Sequence, residues 1–133
     1  MLAKIVHYWL PILRLRDWDV KVRVSMTALD TMGTNEIFYN RRASLITIPP
    51  DLWDRWSQSN QAKTGDTLEY ACEYIVLHEL LHLFGYPYGA DLKNLHENCA
   101  EEFTKTALRD TMSEYEEGWV ECTTRALLNT KRI

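Results

Sequence analysis

A chain of 133 residues with a formal net charge of −4 is long enough for one hydrophobic core and too short for a second. Its apolar fraction of 46%, with five tryptophans and seven tyrosines, excludes disorder as a global description. The acidic balance argues against a nucleic-acid partner, and no basic stripe offsets it.

Leu2, Ile5, Trp9, Ile12 and Leu13 recur at helical spacing and predict an N-terminal helix over residues 1–15, with Pro11 as a kink or early stop. Trp18, Val20, Val22 and Val24 then alternate with polar residues, the pattern of a half-buried strand. Residues 31–35 read as a turn, and Ile37-Phe38-Tyr39 as a second strand. Ala43 to Ile48 reads as a third strand, stopped by Pro49-Pro50, with Asn40-Arg41-Arg42 as a hairpin connection.

Asp51 is placed to cap one or two helical turns through Trp56, and the polar stretch 57–66 reads as a mobile surface loop. A buried helix is expected to start at Asp66 or Thr67, carry the apolar run Ala71 to Leu83, and end at Gly85 with Pro87 beyond. Two further helices follow, from about Asp91 or Asn94 to Leu108 and from about Asp110 to Asn129. The second carries Met112, Tyr115, Trp119, Cys122 and Ala126 at spacings of three and four. The order predicts a single α+β domain over 1–133: an N-terminal helix, a three-stranded sheet on the buried helix, then two C-terminal helices.

The chemistry is concentrated in that buried helix, at His78-Glu79-Leu80-Leu81-His82. Residues i and i+4 lie one above the other on a helix, so both imidazoles can reach one metal ion. Glu79 projects beside the ion, where it can take a proton from bound water. A helix in apolar surroundings does not carry His-Glu-His unless something satisfies those groups, and one zinc ion would. Charge agrees, since residues 67–133 hold six Lys/Arg against twelve Asp/Glu.

A catalytic zinc takes three protein ligands plus water. Tyr88, His96, Glu97 and Glu101 or Glu102 are the candidates for the third. Glu97 is preferred because Glu97 and Glu101 are i and i+4. If Glu97 binds zinc, Glu101 can accept the Nδ1–H of a ligand histidine and fix its tautomer. His96 is the alternative ligand, and Tyr86, Tyr88 and Tyr115 are candidate oxyanion donors.

His78-Glu-Leu-Leu-His82 followed by Glu97-Asn-Cys-Ala-Glu101 resembles the gluzincin metallopeptidases, the thermolysin and neprilysin group, with Glu101 where those enzymes usually have Asp. The chain as a whole, with its Trp18-Asp-Val-Lys-Val strand, resembles small single-domain metallopeptidase-like proteins of phages and bacteria. The resemblance implies a minimal zincin-like fold whose third strand lies at the sheet edge and binds extended peptide. It implies a zinc-dependent peptidase with a peptide or protein substrate and one ion per chain. Spartan-type proteases, with a third histidine at about the His96 distance, are the competing resemblance, and an interaction module that keeps zinc without catalysis is another reading. Cys72, Cys99 and Cys122 form no C-x-x-C pair and read as buried free thiols of a reducing compartment. The apolar stretch 5–13 is interrupted by His7 and Pro11 and lacks a cleavage site. No run reaches the roughly 18 apolar residues of a membrane span. A cytoplasmic location is the expectation.

Overall fold

The computed structural model describes the backbone of residues 1–26, 32–99 and 105–132, and the side chains of 1–26, 32–38, 40–83 and 118–131. The architecture is mixed α+β. Helix α1 (Leu2–Ile12) leads to strands β1 (Asp19–Val24), β2 (Thr34–Phe38) and β3 (Ala43–Ile48), then to helices α2 (Leu52–Ser57), α3 (Leu68–Cys99) and α4 (Lys105–Arg132). The chain divides into two compact units, Met1–Leu80 and Leu81–Ile133, so the division falls within α3.

The first unit holds the sheet, ordered β1-β3-β2. Strand β3 is parallel to β1 and antiparallel to β2, with Val22 and Asn35 both paired to Ile46. The expectation that β3 is an edge strand is therefore wrong. Its composition gives the reason: Ser44, Ile46, Thr47 and Ile48 are all buried, a pattern for a strand flanked on both sides. The edges are β1 and β2. Strand β2 also starts earlier than its apolar residues suggest, because Thr34 and Asn35, read as turn, are already paired to Thr47 and Ile46.

Helix α1 ends at Ile12, one residue past Pro11. Its inner face buries Ile5, Val6 and Trp9, and the Trp9 indole N–H donates to Glu73 of α3 at 3.0 Å. That bond lets a large aromatic bury its one polar atom without cost. Helix α2 buries Leu52 and Trp56. Asp51 precedes it but makes no side-chain cap; its carboxylate accepts from Arg55 Nε instead, at 2.9 Å.

The stretch 57–66 is tied down rather than loose. Asp66 Oδ2 accepts from the Trp56 indole at 3.0 Å and from the Lys63 amide at 2.8 Å. Gly65 sits at φ +91°, a left-handed conformation that strains any residue with a side chain. Thr67 then caps α3, its Oγ1 accepting from the Tyr70 amide at 3.1 Å.

Within α3 the apolar run is buried as expected: Ala71, Ile75, Val76, Leu77, Leu80, Leu81 and Leu83 are each at most 6% exposed. Full burial of a Leu or Ile side chain stabilises by about 1.5–3 kcal/mol, so this helix dominates the core. Two expectations fail here. The helix passes Gly85 and Pro87 and continues to Cys99, and among the described residues one further helix follows rather than two. A Gly–Pro signal is a local cost that surrounding helix-forming sequence overrides.

The buried face of α4 is also not the one its aromatic spacing suggests. Trp119, Cys122 and Ala126 are exposed, while Val120, Thr124 and Leu128 are buried at intervals of four. The polar member of that stripe is satisfied locally, because the Thr124 hydroxyl donates to the Val120 carbonyl at 2.7 Å. Among the described residues, no helix is long and apolar enough to cross a membrane.

Of the cysteines, Cys72 is the buried free thiol expected and Cys122 is not. Cys72 is buried and Cys122 exposed, both free, and the Cys99 side chain lies outside the described set. Burial raises the Cys72 thiol above its ordinary value, the Glu69 carboxylate adds to the rise, and the N-terminal ammonium opposes it. A raised thiol value leaves its stabilising contribution complete below the unfolded pKa and loses it as pH climbs through the folded one. Native protein at neutral pH is accordingly expected to react quickly with a thiol reagent at Cys122 and slowly at Cys72. Mass-spectrometric mapping checks this, and equal labelling rates at the two would refute it.

Candidate active site

The first unit carries His78 and Glu79. His78 and Glu79 are half-buried and follow directly on the fully buried Val76 and Leu77. Tyr74 sits one turn before His78, and the two rings lie roughly parallel, with centroids 6.5 Å apart and planes inclined by 27°. Tyr74 is itself held at ring-contact distance by Trp56, at 5.1 Å, and its hydroxyl reaches Gln61 Oε1 at 3.4 Å. An aromatic support therefore runs from the 57–66 segment to the first histidine, and it restricts the plane of that imidazole.

Glu79 is approached from the sheet. The Asn35 amide on β2 donates to the Glu79 backbone carbonyl at 3.1 Å, and Asn35 Oδ1 accepts from the buried Ser44 hydroxyl at 2.5 Å. Gly33 lies beside the same turn of α3. A Cβ there would stand 2.5 Å from Ile75 Cγ2 and 3.9 Å from Glu79 Oε1. Edge strand β2 and the His78–Glu79 turn are thus neighbours, with no side chain between Gly33 and the Glu79 carboxylate.

His82 follows one helical turn later on α3 and is half-buried. Two half-buried imidazoles at i and i+4 suit two positions of a zinc site. Among the described residues, no group of three or more His, Cys, Asp or Glu is placed to hold a metal ion.

No protein-family model matches the chain, and neither does any curated protein or solved structure.

The remaining sequence candidates have side chains outside the described set or lie outside it altogether. His96 and Glu97 fall within the backbone of α3, and their side chains lie outside the described set, as do those of Tyr86, Tyr88 and Tyr115. Glu97 follows His82 by fifteen residues on the same unbroken helix. At 1.5 Å per residue that carries it about 22 Å along the axis. Glu101 lies outside the described residues.

Asn35, Ser44, Gly33 and Tyr74 did not stand out as site residues in the sequence. Tyr74 was recoverable, since i−4 from His78 puts it on the same helix face. Asn35 and Ser44 leave a weaker trace: each is a polar residue in a strand, two positions before an inward-facing isoleucine. Which helix turn they serve depends on long-range pairing that no local pattern reveals.

Proposed function

We propose that the chain is a zinc-dependent peptidase with Glu79 as its general base. The observation that carries the reading is the His78-Glu79-x-x-His82 array on a core helix, with the Glu79 carboxylate near Gly33, the residue before edge strand β2. His78 and His82 would hold the ion, with Glu97 as the third ligand and Glu101 accepting a proton-bearing histidine nitrogen. Zinc, when bound, supplies Lewis acidity and lowers the pKa of water toward neutrality. Glu79 takes the proton of the attacking water and delivers it to the leaving amine. Tyr74 holds the His78 ring plane.

Bringing Glu97 to His82 requires α3 to open and turn back. Gly85 to Pro87 is where that costs least. A proline inside a helix has no N–H to offer the carbonyl four residues back, and its ring crowds such a carbonyl. An interior proline forfeits about 3 kcal/mol of helix stability and a glycine about 1. On this reading Glu97→Ala weakens zinc binding by more than Glu101→Ala, whose loss falls in the roughly ten- to hundredfold range of outer-shell changes. His96→Ala leaves it nearly unchanged. Titration calorimetry with zinc decides the matter: if His96→Ala removes the metal and Glu97→Ala does not, the ligand set is the Spartan-like one.

Substrate is expected to pair with β2 rather than β3, because β2 is an edge strand and lies against Glu79. An extended peptide adds to such an edge through main-chain hydrogen bonds. In the Glu79→Gln protein, excess peptide should slow hydrogen exchange across Thr34–Phe38 and leave Asp19–Val24 unchanged. Protection of β1 alone would move the docking edge to the other side of the sheet.

A further inference from the structure

We infer that Asn35, Ser44 and Gly33 form a positioning device for the Glu79 carboxylate. The catalytic consequence rests on the peptidase reading above. The device itself is geometric.

Asparagine is disfavoured in strands, and a polar side chain facing the core needs partners at both ends of its amide. Asn35 has them. Ser44, on the central strand and 3% exposed, donates to Asn35 Oδ1 at 2.5 Å, which commits the oxygen end as acceptor. The NH₂ end is thereby turned to α3, where it donates to the Glu79 carbonyl at 3.1 Å. A carbonyl has two lone pairs, so one can serve the helix ladder while the other accepts from Asn35. Strand register sets the relay up: Ser44 pairs with Ile37, two residues from Asn35 on the same face.

Two residues back along that face is Gly33. A Cβ at Gly33 would meet Ile75 Cγ2 at 2.5 Å, so any side chain there forces β2 and α3 apart. Glu79 is thus met at two points: its carbonyl accepts from Asn35, and its carboxylate oxygen lies 3.9 Å from where a Gly33 Cβ would stand. A general base works only within hydrogen-bond reach of the proton it takes, and a displacement of about 1 Å can cost about a hundredfold in rate. The hydrogen bonds of Asn35 and Ser44 lead to the Glu79 carbonyl, so the device acts through Glu79.

The alternative is a plain weld of β2 onto α3, which would lower stability and nothing else. Asn35→Asp keeps the shape and removes the donor, Ser44→Ala releases the amide, and Ile5→Ala in the core face of α1 is a destabilised control. Three quantities separate the readings: kcat and KM well below each melting temperature, zinc stoichiometry, and the Glu79 side-chain rotamer from three-bond couplings in metal-free protein. Asn35→Asp and Ser44→Ala are expected to retain zinc and keep KM within about threefold while kcat falls by about tenfold or more. Their Glu79 couplings should change from a single-rotamer pattern to an averaged one, and Ile5→Ala should leave them alone. Asn35→Gln, which restores a donor on a longer arm, should recover part of the loss. Unchanged Glu79 couplings in Asn35→Asp and Ser44→Ala, or a kcat loss matched by Ile5→Ala, would overturn the inference. If hydrolysis does not depend on Glu79 even in wild type, the peptidase reading falls, and the couplings still decide whether Asn35 positions that side chain.

Discussion

Replacing His78 with alanine is expected to strip the protein of zinc. Two imidazoles one turn apart on α3 are the core of the proposed ligand set, and removing one leaves a site short of the three protein ligands that catalytic zinc requires. Loss of an outer-shell partner already weakens metal sites by roughly ten- to hundredfold, so loss of a direct ligand should exceed that range. His82→Ala should behave alike. Stability gives a second reading. A ligand that binds only the native state adds about 2.7 kcal/mol at a hundred times its dissociation constant, so zinc should raise the melting temperature of wild type. That rise should vanish in His78→Ala, whose metal-free form should melt close to metal-free wild type, because a half-exposed imidazole contributes little packing. Metal content by mass spectrometry and paired melts with and without chelator measure both effects. Full zinc stoichiometry retained in His78→Ala would end the metal-site argument.

The parts of the fold that periodicity marks were legible before the structure. The alternation Val20, Val22, Val24 gives β1, the apolar run Ala71 to Leu83 gives the buried part of α3, and Thr67 caps that helix as its position suggests. What failed depends on non-local partners. Ala43 to Ile48 reads as a strand in any register, but its central place follows from β1 and β2 both choosing it. The apolar Trp119, Cys122 and Ala126 look like a core stripe, yet burial in α4 follows Val120, Thr124 and Leu128, because packing rather than side-chain size selects the face. Gly85 and Pro87 look like a stop, and their local cost is overridden within a helix of 32 residues. The site divides the same way. His78, Glu79 and His82 are legible because a helix turns sequence spacing into spatial proximity. Asn35 and Ser44 reach Glu79 across 44 and 35 residues of chain, and spacing alone carries no information at that range.

The second large effect separates an enzyme from a metal-bound scaffold. Glu79→Gln is nearly isosteric, and the backbone carbonyl that accepts from Asn35 is untouched, so the turn of α3 and the sheet contact should survive. Neither histidine is altered, so zinc stoichiometry and the zinc-dependent rise in melting temperature should match wild type. The amide cannot take a proton from water. Hydrolysis of an unfolded protein such as casein should therefore fall by at least about a hundredfold, the low end for a lost general base. The loss should appear in kcat with KM nearly constant, because Glu79 acts on the proton rather than on the substrate backbone that β2 would hold. Glu79→Asp makes the argument sharper: it keeps the carboxylate but withdraws it by one methylene, and a base displaced by about 1 Å should retain only a few percent of activity. The expected order is wild type, then Asp, then Gln, at equal zinc content. If wild type and Glu79→Gln cleave equally, or neither cleaves unfolded proteins or peptide libraries while both bind zinc, the histidines serve an interaction module and Glu79 is a neighbour of the metal with no catalytic role.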